Sequence, residues 1–235
     1  MLLRVIDIET TGAKPSEIIE IAAVDVVRSD AGWTALPPRS RLFRPRSAIS
    51  YHAMAVHHLT DEDFADTLAY CSEEHLVEFL SEGGPADALV AHNAAFEAAH
   101  ISPVAAGGLN WICTVKSARV AWLNAPGYSN QVLRYWRGLN LDPALAMPPH
   151  RAAPDAWVTA HILIDLLRTC SVSDLKSWSQ EPRRLGRVPF GRHKGKAWSE
   201  PPTDYLTWLA AEPDMAQDVV DHARQELARR QLEGA

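Results

Sequence analysis

The stretch LLRVIDIET near the start of the chain constrains the fold more than any other. Over residues 2–9 the side chains alternate: Leu3, Val5, Asp7 and Glu9 share one face, and Leu2, Ile6 and Ile8 share the other. This period of two marks a strand, and apolar residues on both faces require it to be covered on both sides. Thr10, Thr11 and Gly12, with Pro15 close behind, mark a turn. The run EIIEIAAVDVVR (17–28) then predicts a second strand and residues 40–44 a third, joined through a loop at Pro37 and Pro38. Strands that follow so closely imply an antiparallel meander.

Beyond the meander the periodicity changes. Helices are predicted over 74–82, 94–106, 116–123, 129–137 and 155–169, and short buried strands over 88–91 and 111–115. Three strands followed by alternating helices and strands give an α/β fold, a mixed sheet flanked by helices. After Cys170 the composition turns polar (SVSDLKSWSQEPRRLGR). The expected organisation is therefore a domain over 1–170, a linker over 171–187 and a small C-terminal module over 188–235. That module should contain an amphipathic helix over 215–232, with Trp208 and Leu209 on a buried helix face. Most of the eight tryptophans are expected in the core.

Composition limits the function classes. The longest apolar stretch, near 157–167, is broken by His161 and Asp165 and cannot span a bilayer. The start places acids where a signal peptide needs a continuous apolar region. Cys71, Cys113 and Cys170 are widely spaced with no CxxC pair, so neither a zinc site nor a disulfide framework is expected, and a reducing cytoplasm fits. A net charge of −6 opposes nucleic-acid binding overall. Carboxylates that hold cations are neutralised by them, however, and local charge matters more than the total. Arg183, Arg184, Arg187, Arg192, Lys194 and Lys196 fall within fourteen residues that contain no acid.

Three clusters carry the chemistry. Asp7 and Glu9, at i and i+2 of a strand, project from one face and can ligate one divalent ion or bridge two. His92, Asn93, Phe96 and Glu97 stand at a strand-to-helix junction, with Glu97 in the helix's first turn. His150 lies on a loop and Asp155 follows Pro154 at the start of the long helix, so the histidine could take a proton from an attacking water beside a metal-ligating acid. Alone, each cluster has an ordinary reading: a strand end, a helix-start acid, a capping Asp with a surface His.

Together, in this order and spacing, they resemble the three motifs of the DEDDh branch of the DnaQ-like exonuclease superfamily. Ile49, Ser50, Val56 and His57 are similar to a segment that precedes that family's second motif. The tail, with Pro189, Phe190, Gly191, Arg192, His193, Lys194, Gly195 and Lys196, resembles a small module carried by bacterial members. The resemblance implies an RNase H-like fold and 3′→5′ hydrolysis of DNA to 5′-mononucleotides, in DNA repair or end trimming. It implies two Mg²⁺ or Mn²⁺ ions held by Asp7, Glu9 and Asp155, with Glu97 completing the second site and His150 as general base. Thr10, Thr11, Gly12, His57 and Asn93 are the substrate contacts it implies, and single-stranded DNA or DNA 3′ ends, or RNA, are the partners. For His57 a capping or surface role stays open. Glu97 departs from the family, whose motif ends in Asp; the extra methylene moves the carboxylate by roughly 1.5 Å, one C–C bond. The expectation is a working site, slower or Mn²⁺-preferring. Two alternatives are an RNA-trimming member of the superfamily and an exonuclease fold that only holds 3′ ends.

Overall fold

The first strand does what its alternation requires. In the computed structural model, which describes residues 1–12, 15–181, 185–212, 215 and 217–233, β1 (Leu2–Thr10) lies inside the sheet. It is flanked by β2 (Ile18–Ser29), antiparallel, and β5 (Ala88–Ala91), parallel. The strands β3 (Gly32–Ala35) and β4 (Arg39–Leu42) both pair antiparallel with β2, and β6 (Trp111–Cys113) pairs parallel with β5. The path across the sheet is β3-β2-β1-β5-β6, with β4 beside β2. The strand β3 was not expected; it continues the meander as a short partner of the end of β2.

Helices cover both faces. They are α1 (Tyr51–His57), α2 (Glu73–Ser81), α3 (Ala94–His100), α4 (Thr114–Ala121), α5 (Asn130–Trp136), α6 (Pro143–Ala146) and α7 (Ala152–Leu166). On one face Leu3, Val5, Ala22, Val24 and Val90 pack with Ala156, Leu163 and Leu166 of α7. On the other, Ile6, Ile8, Ile21 and Leu89 pack with Leu76, Phe79 and Leu80 of α2 and with Ile101. The predicted helix over 94–106 ends early, at His100, ahead of Pro103 and the positive-φ pair Gly107 and Gly108.

The chain divides into two units, Met1–Ser179 and Gln180–Ala235. The stretch read as a linker from 171 instead begins with α8 (Val172–Gln180), whose Leu175 is fully buried in the core with Val172 and Trp178 packed beside it. Its polar residues lie between these apolar ones, which recur at helical spacing. The second unit holds α9 (Thr203–Ala211) and α10 (Gln217–Glu233) around Leu206, Leu209, Val219 and Ala223. Leu209 is buried as expected, but Trp208 is exposed. Six of the tryptophans pack against hydrophobic clusters, whereas Trp136 and Trp208 are exposed. Among the described residues, no helix is long and apolar enough to cross a membrane.

Candidate active site

The face of β1 that carries Leu3 and Val5 into the core under α7 also carries Asp7 and Glu9 toward that helix's first turn, where Asp155 sits. Oxygens of Asp7, Glu9 and Asp155 all lie within 4.8 Å of one another. Glu97, in the first turn of α3, is 4% exposed and stands outside this trio, yet its charge is felt at Asp7.

The pKa of each of these carboxyls is raised. Burial raises Asp7 well above the ordinary carboxylate range, reinforced by the charges of Glu97, Asp155 and Glu9. Burial, then Asp155 and Glu20, push Glu9 up to about 8, against the pull of Arg151. Burial lifts Glu97 to about 7 and also raises Asp155, which the His150 amide and imidazole partly offset. Oδ1 of Asp155 and Oε2 of Glu97 are shielded from solvent and accept no hydrogen bond. A set of oxygen donors that is crowded, partly desolvated and short of positive charge fits hard divalent cations.

Two residues not singled out in the sequence hold this arrangement. Glu20 of β2 faces Glu9 in register, next to the irregularity between Glu9 and Thr10. Its carboxylate accepts both Nε and an Nη of Arg151, at 2.9 Å each, and the Ala152 amide at 3.1 Å. Glu20 thus caps α7 from another element, since the Arg151 side chain makes no cap bond. It fixes the backbone between His150 and Asp155. The only signal in the sequence was an acid inside an apolar strand and an arginine inside the His150 cluster. Their meeting depends on the β1–β2 register.

His150 adopts a left-handed φ of 62° and its amide donates to Asp155 Oδ2 at 2.8 Å, while the residue itself is exposed. Its side chain therefore sits at the surface beside the acids. Thr10 and Thr11 are buried, and Thr11 is tied to Glu17 through both its amide and its hydroxyl. Gly12, with φ +67°, closes the turn against α1, because a Cβ there would lie 2.8 Å from Ser50 Oγ and 2.9 Å from Ala53 Cβ. Asn93 is exposed at the start of α3.

His57, for which substrate contact and a capping or surface role were both open, turns inward. It is 2% exposed, and both ring nitrogens are occupied. The Leu59 amide donates to Nδ1 at 2.9 Å, so Nε2 carries the proton and donates to the Thr10 carbonyl at 3.2 Å. It supports the 10–12 turn from behind. His92 is half-buried: its ring bridges the Thr114 hydroxyl and the Tyr128 carbonyl at 2.8 Å each, and desolvation lowers its pKa to about 4.

Comparison with known proteins agrees with this geometry. The model of the exonuclease family matches residues 5–163. Exodeoxyribonuclease 10 of Escherichia coli strain K12 is 35% identical over 215 residues, covering 88% of this chain and 90% of that protein. Among solved structures, exonuclease X in complex with 5′ overhanging duplex DNA matches with a TM-score of 0.62 and 34% identity, over 75% of this chain and 99% of that one. The nuclease domain of 3′hExo, a DEDDh family member bound to rAMP, shares the fold at a TM-score of 0.54 and 16% identity, over 71% of this chain and 92% of that one. With the family model spanning most of the chain and a relative of this identity covering nearly all of it, the chain belongs to the exonuclease family.

Proposed function

We propose that this chain removes nucleotides one at a time from DNA 3′ ends, releasing 5′-mononucleotides, with Asp7, Glu9, Asp155 and Glu97 holding two Mg²⁺ or Mn²⁺ ions. The observation that carries the reading is the meeting of Asp7, Glu9 and Asp155 oxygens within 4.8 Å at the end of a buried strand. Divalent ions bound there supply an activated water and charge neutralisation at the departing oxygen. The DNA substrate is supported by the relatives, an exodeoxyribonuclease and an exonuclease X bound to a DNA duplex with an overhang.

The chain's own residues divide the remaining work. His150, with its amide fixed on Asp155 and its ring at the surface, accepts the proton of the attacking water. One Asp155 oxygen is occupied by that amide, leaving the unpartnered Oδ1 for a cation. The 10–12 turn, held by His57 and by packing on α1, receives the terminal nucleotide, and Asn93, exposed at the start of α3, is a further contact to substrate. Glu20 and Arg151 keep His150 and Asp155 in place. Three free cysteines, with the Cys71 thiol pushed by burial up to about 11 and so poorly reactive, suit a reducing cytoplasm.

The test is incubation of 3′-labelled single-stranded DNA, its RNA counterpart and a 3′-blocked circle with Mg²⁺, Mn²⁺ or EDTA. Mononucleotide release from the DNA that EDTA abolishes is expected, together with a loss of roughly 10²–10⁴-fold in turnover for His150→Gln at nearly unchanged DNA binding. Preferred release from RNA would make the chain an RNA-trimming enzyme, and 3′-end binding without release would leave a binding module.

A further inference from the structure

The second unit segregates its charge. Residues 183–196 hold six cations and no acid. Arg183 and Arg184 lie outside the described residues, but Arg187, Arg192, Lys194 and Lys196 are all exposed, and none pairs with a carboxylate among the described residues. They occupy one closed loop. The Val188 amide donates to the Lys196 carbonyl at 2.9 Å and the Gly195 amide returns to the Val188 carbonyl at 2.8 Å. Arg187 donates to the Gly195 carbonyl at 2.8 Å, and Val188 anchors the loop in the small core. Like charges confined this closely repel one another, and nothing within the loop relieves them.

Aromatic rings gather beside the same loop. Tyr205 of α9 is buried, with the Arg192 guanidinium 5.2 Å from its ring centroid and the His193 ring at 4.5 Å. Gly191, with φ +72°, lets the loop close onto it, since a Cβ there would lie 2.6 Å from the Tyr205 hydroxyl. One turn further along α9, Trp208 stands 5.6 Å from Tyr205 and is 47% exposed. Phe190 is exposed on the loop itself. Phe190 and Trp208 thus leave aromatic surface open to solvent beside the cations.

Unpaired cations on a fixed loop and an exposed ring backed by a second aromatic are the two components of single-strand recognition, backbone charge and base stacking. We propose that this face of the second unit is a further nucleic-acid site, built from residues other than those of the hydrolytic centre. In it Arg187, Arg192, Lys194 and Lys196 meet the phosphates of a single strand, and Trp208, supported by Tyr205, stacks on a base. A tethered second site raises affinity for long strands without altering the chemistry.

The full chain, held in EDTA so that no strand is cut, is titrated with a fluorescent oligodeoxythymidylate of about 30 nucleotides while anisotropy is followed at about 50–200 mM NaCl. Replacing the four cations by Gln should make the log–log salt dependence shallower by about 3, at about 0.7 for each single-strand phosphate contact. Trp208→Ala should weaken binding roughly 5- to 150-fold, the range for one stacked base, with the salt slope unchanged. Lys194→Arg with Lys196→Arg should bind as wild type does. If the fourfold variant does not fold, Lys194→Gln with Lys196→Gln should lower the slope by about half as much. An unmoved slope in the charge variants, or wild-type affinity in Trp208→Ala, overturns the proposal. So does loss of binding to an acidic protein or heparin with none to the oligonucleotide. Trinucleotide hydrolysis in Mg²⁺ should be the same for all these variants and wild type; its absence in wild type would count against the exonuclease reading and not against this site.

Discussion

At its start, β1 buries Arg4 against Asp25 of β2; three residues later it turns Asp7 and Glu9 toward Asp155. The Arg4 guanidinium is 1% exposed and forms a two-pronged pair with Asp25, at 2.7 and 2.9 Å. It also donates to the carbonyls of Leu80 and Gly84, and Arg39 approaches Asp25 at 3.3 Å. Every charge there has an internal partner. At the other end, carboxyls crowd together with their pKa values driven upward, and two shielded oxygens are left unpartnered. The same strand therefore carries a site closed on itself and a site open to an outside cation. A buried charge that the chain neutralises is architecture; one that it leaves unneutralised is a place for a ligand.

The comparison breaks most sharply at Asp7. Asp7→Asn should abolish nucleotide release and, in EDTA at pH 8, raise the thermal midpoint, because a crowded acid has been removed. An active variant, or one that melts below wild type in EDTA, would place Asp7 among the structural acids. Arg4→Met should do the reverse. Leaving Asp25 buried with only Arg39 should cost about 3–5 kcal/mol in denaturant unfolding, while turnover per folded molecule stays at the wild-type value. Unchanged stability would show that the pair is no more than a satisfied replacement for apolar packing.

A smaller effect is expected at Glu97. If the extra methylene displaces its carboxylate by about one bond length, Glu97→Asp should keep or raise Mg²⁺-supported turnover, by up to the order of 10²-fold. It should change Mn²⁺-supported turnover less, since magnesium is the stricter about octahedral geometry. Glu97→Ala should lose most activity with both metals. Equal activity of Glu97→Ala and wild type would reduce Glu97 to a helix-start acid.

The two ends of β1 were unequally legible. Strand parity placed Asp7 and Glu9 on one face, because it depends only on local period, whereas Asp155 was joined to them only by the resemblance of the three motifs to a known family. Arg4 fell outside the alternation, and its pairing with Asp25 needed the register of β2. Glu20 and Arg151 were hidden for the same reason. His57 was open to a surface role because only tertiary packing decides that its ring turns inward to Thr10. The helix α8 was missed because its six polar residues outnumber the three that bury it, Val172, Leu175 and Trp178. Trp208 was expected to be buried by its side-chain type, yet the small core of the second unit closes on Leu206 and Leu209 of the same helix and leaves the indole outside.

The weakest effect sharpens the comparison through pH. In the unfolded chain Glu9 titrates in the ordinary range, at about 4.3, whereas in the fold it is held up at about 8. Glu97, at about 7, and Asp7 and Asp155 shift the same way. The native protein therefore binds more protons than the unfolded chain across this window, and the sign of the linkage follows. The contribution to stability is fully present below the unfolded value and is lost as pH rises toward 8. In EDTA the unfolding free energy should fall steadily between about pH 5 and 8, with Glu9→Gln flattening the slope. A divalent ion binds the deprotonated acids of the folded state alone, so saturating Mn²⁺ should cancel the fall or reverse it. Denaturant titrations at matched ionic strength separate the cases. A slope that is the same with and without metal, and the same in Glu9→Gln, would mean that these acids are already neutralised within the protein, as Asp25 is.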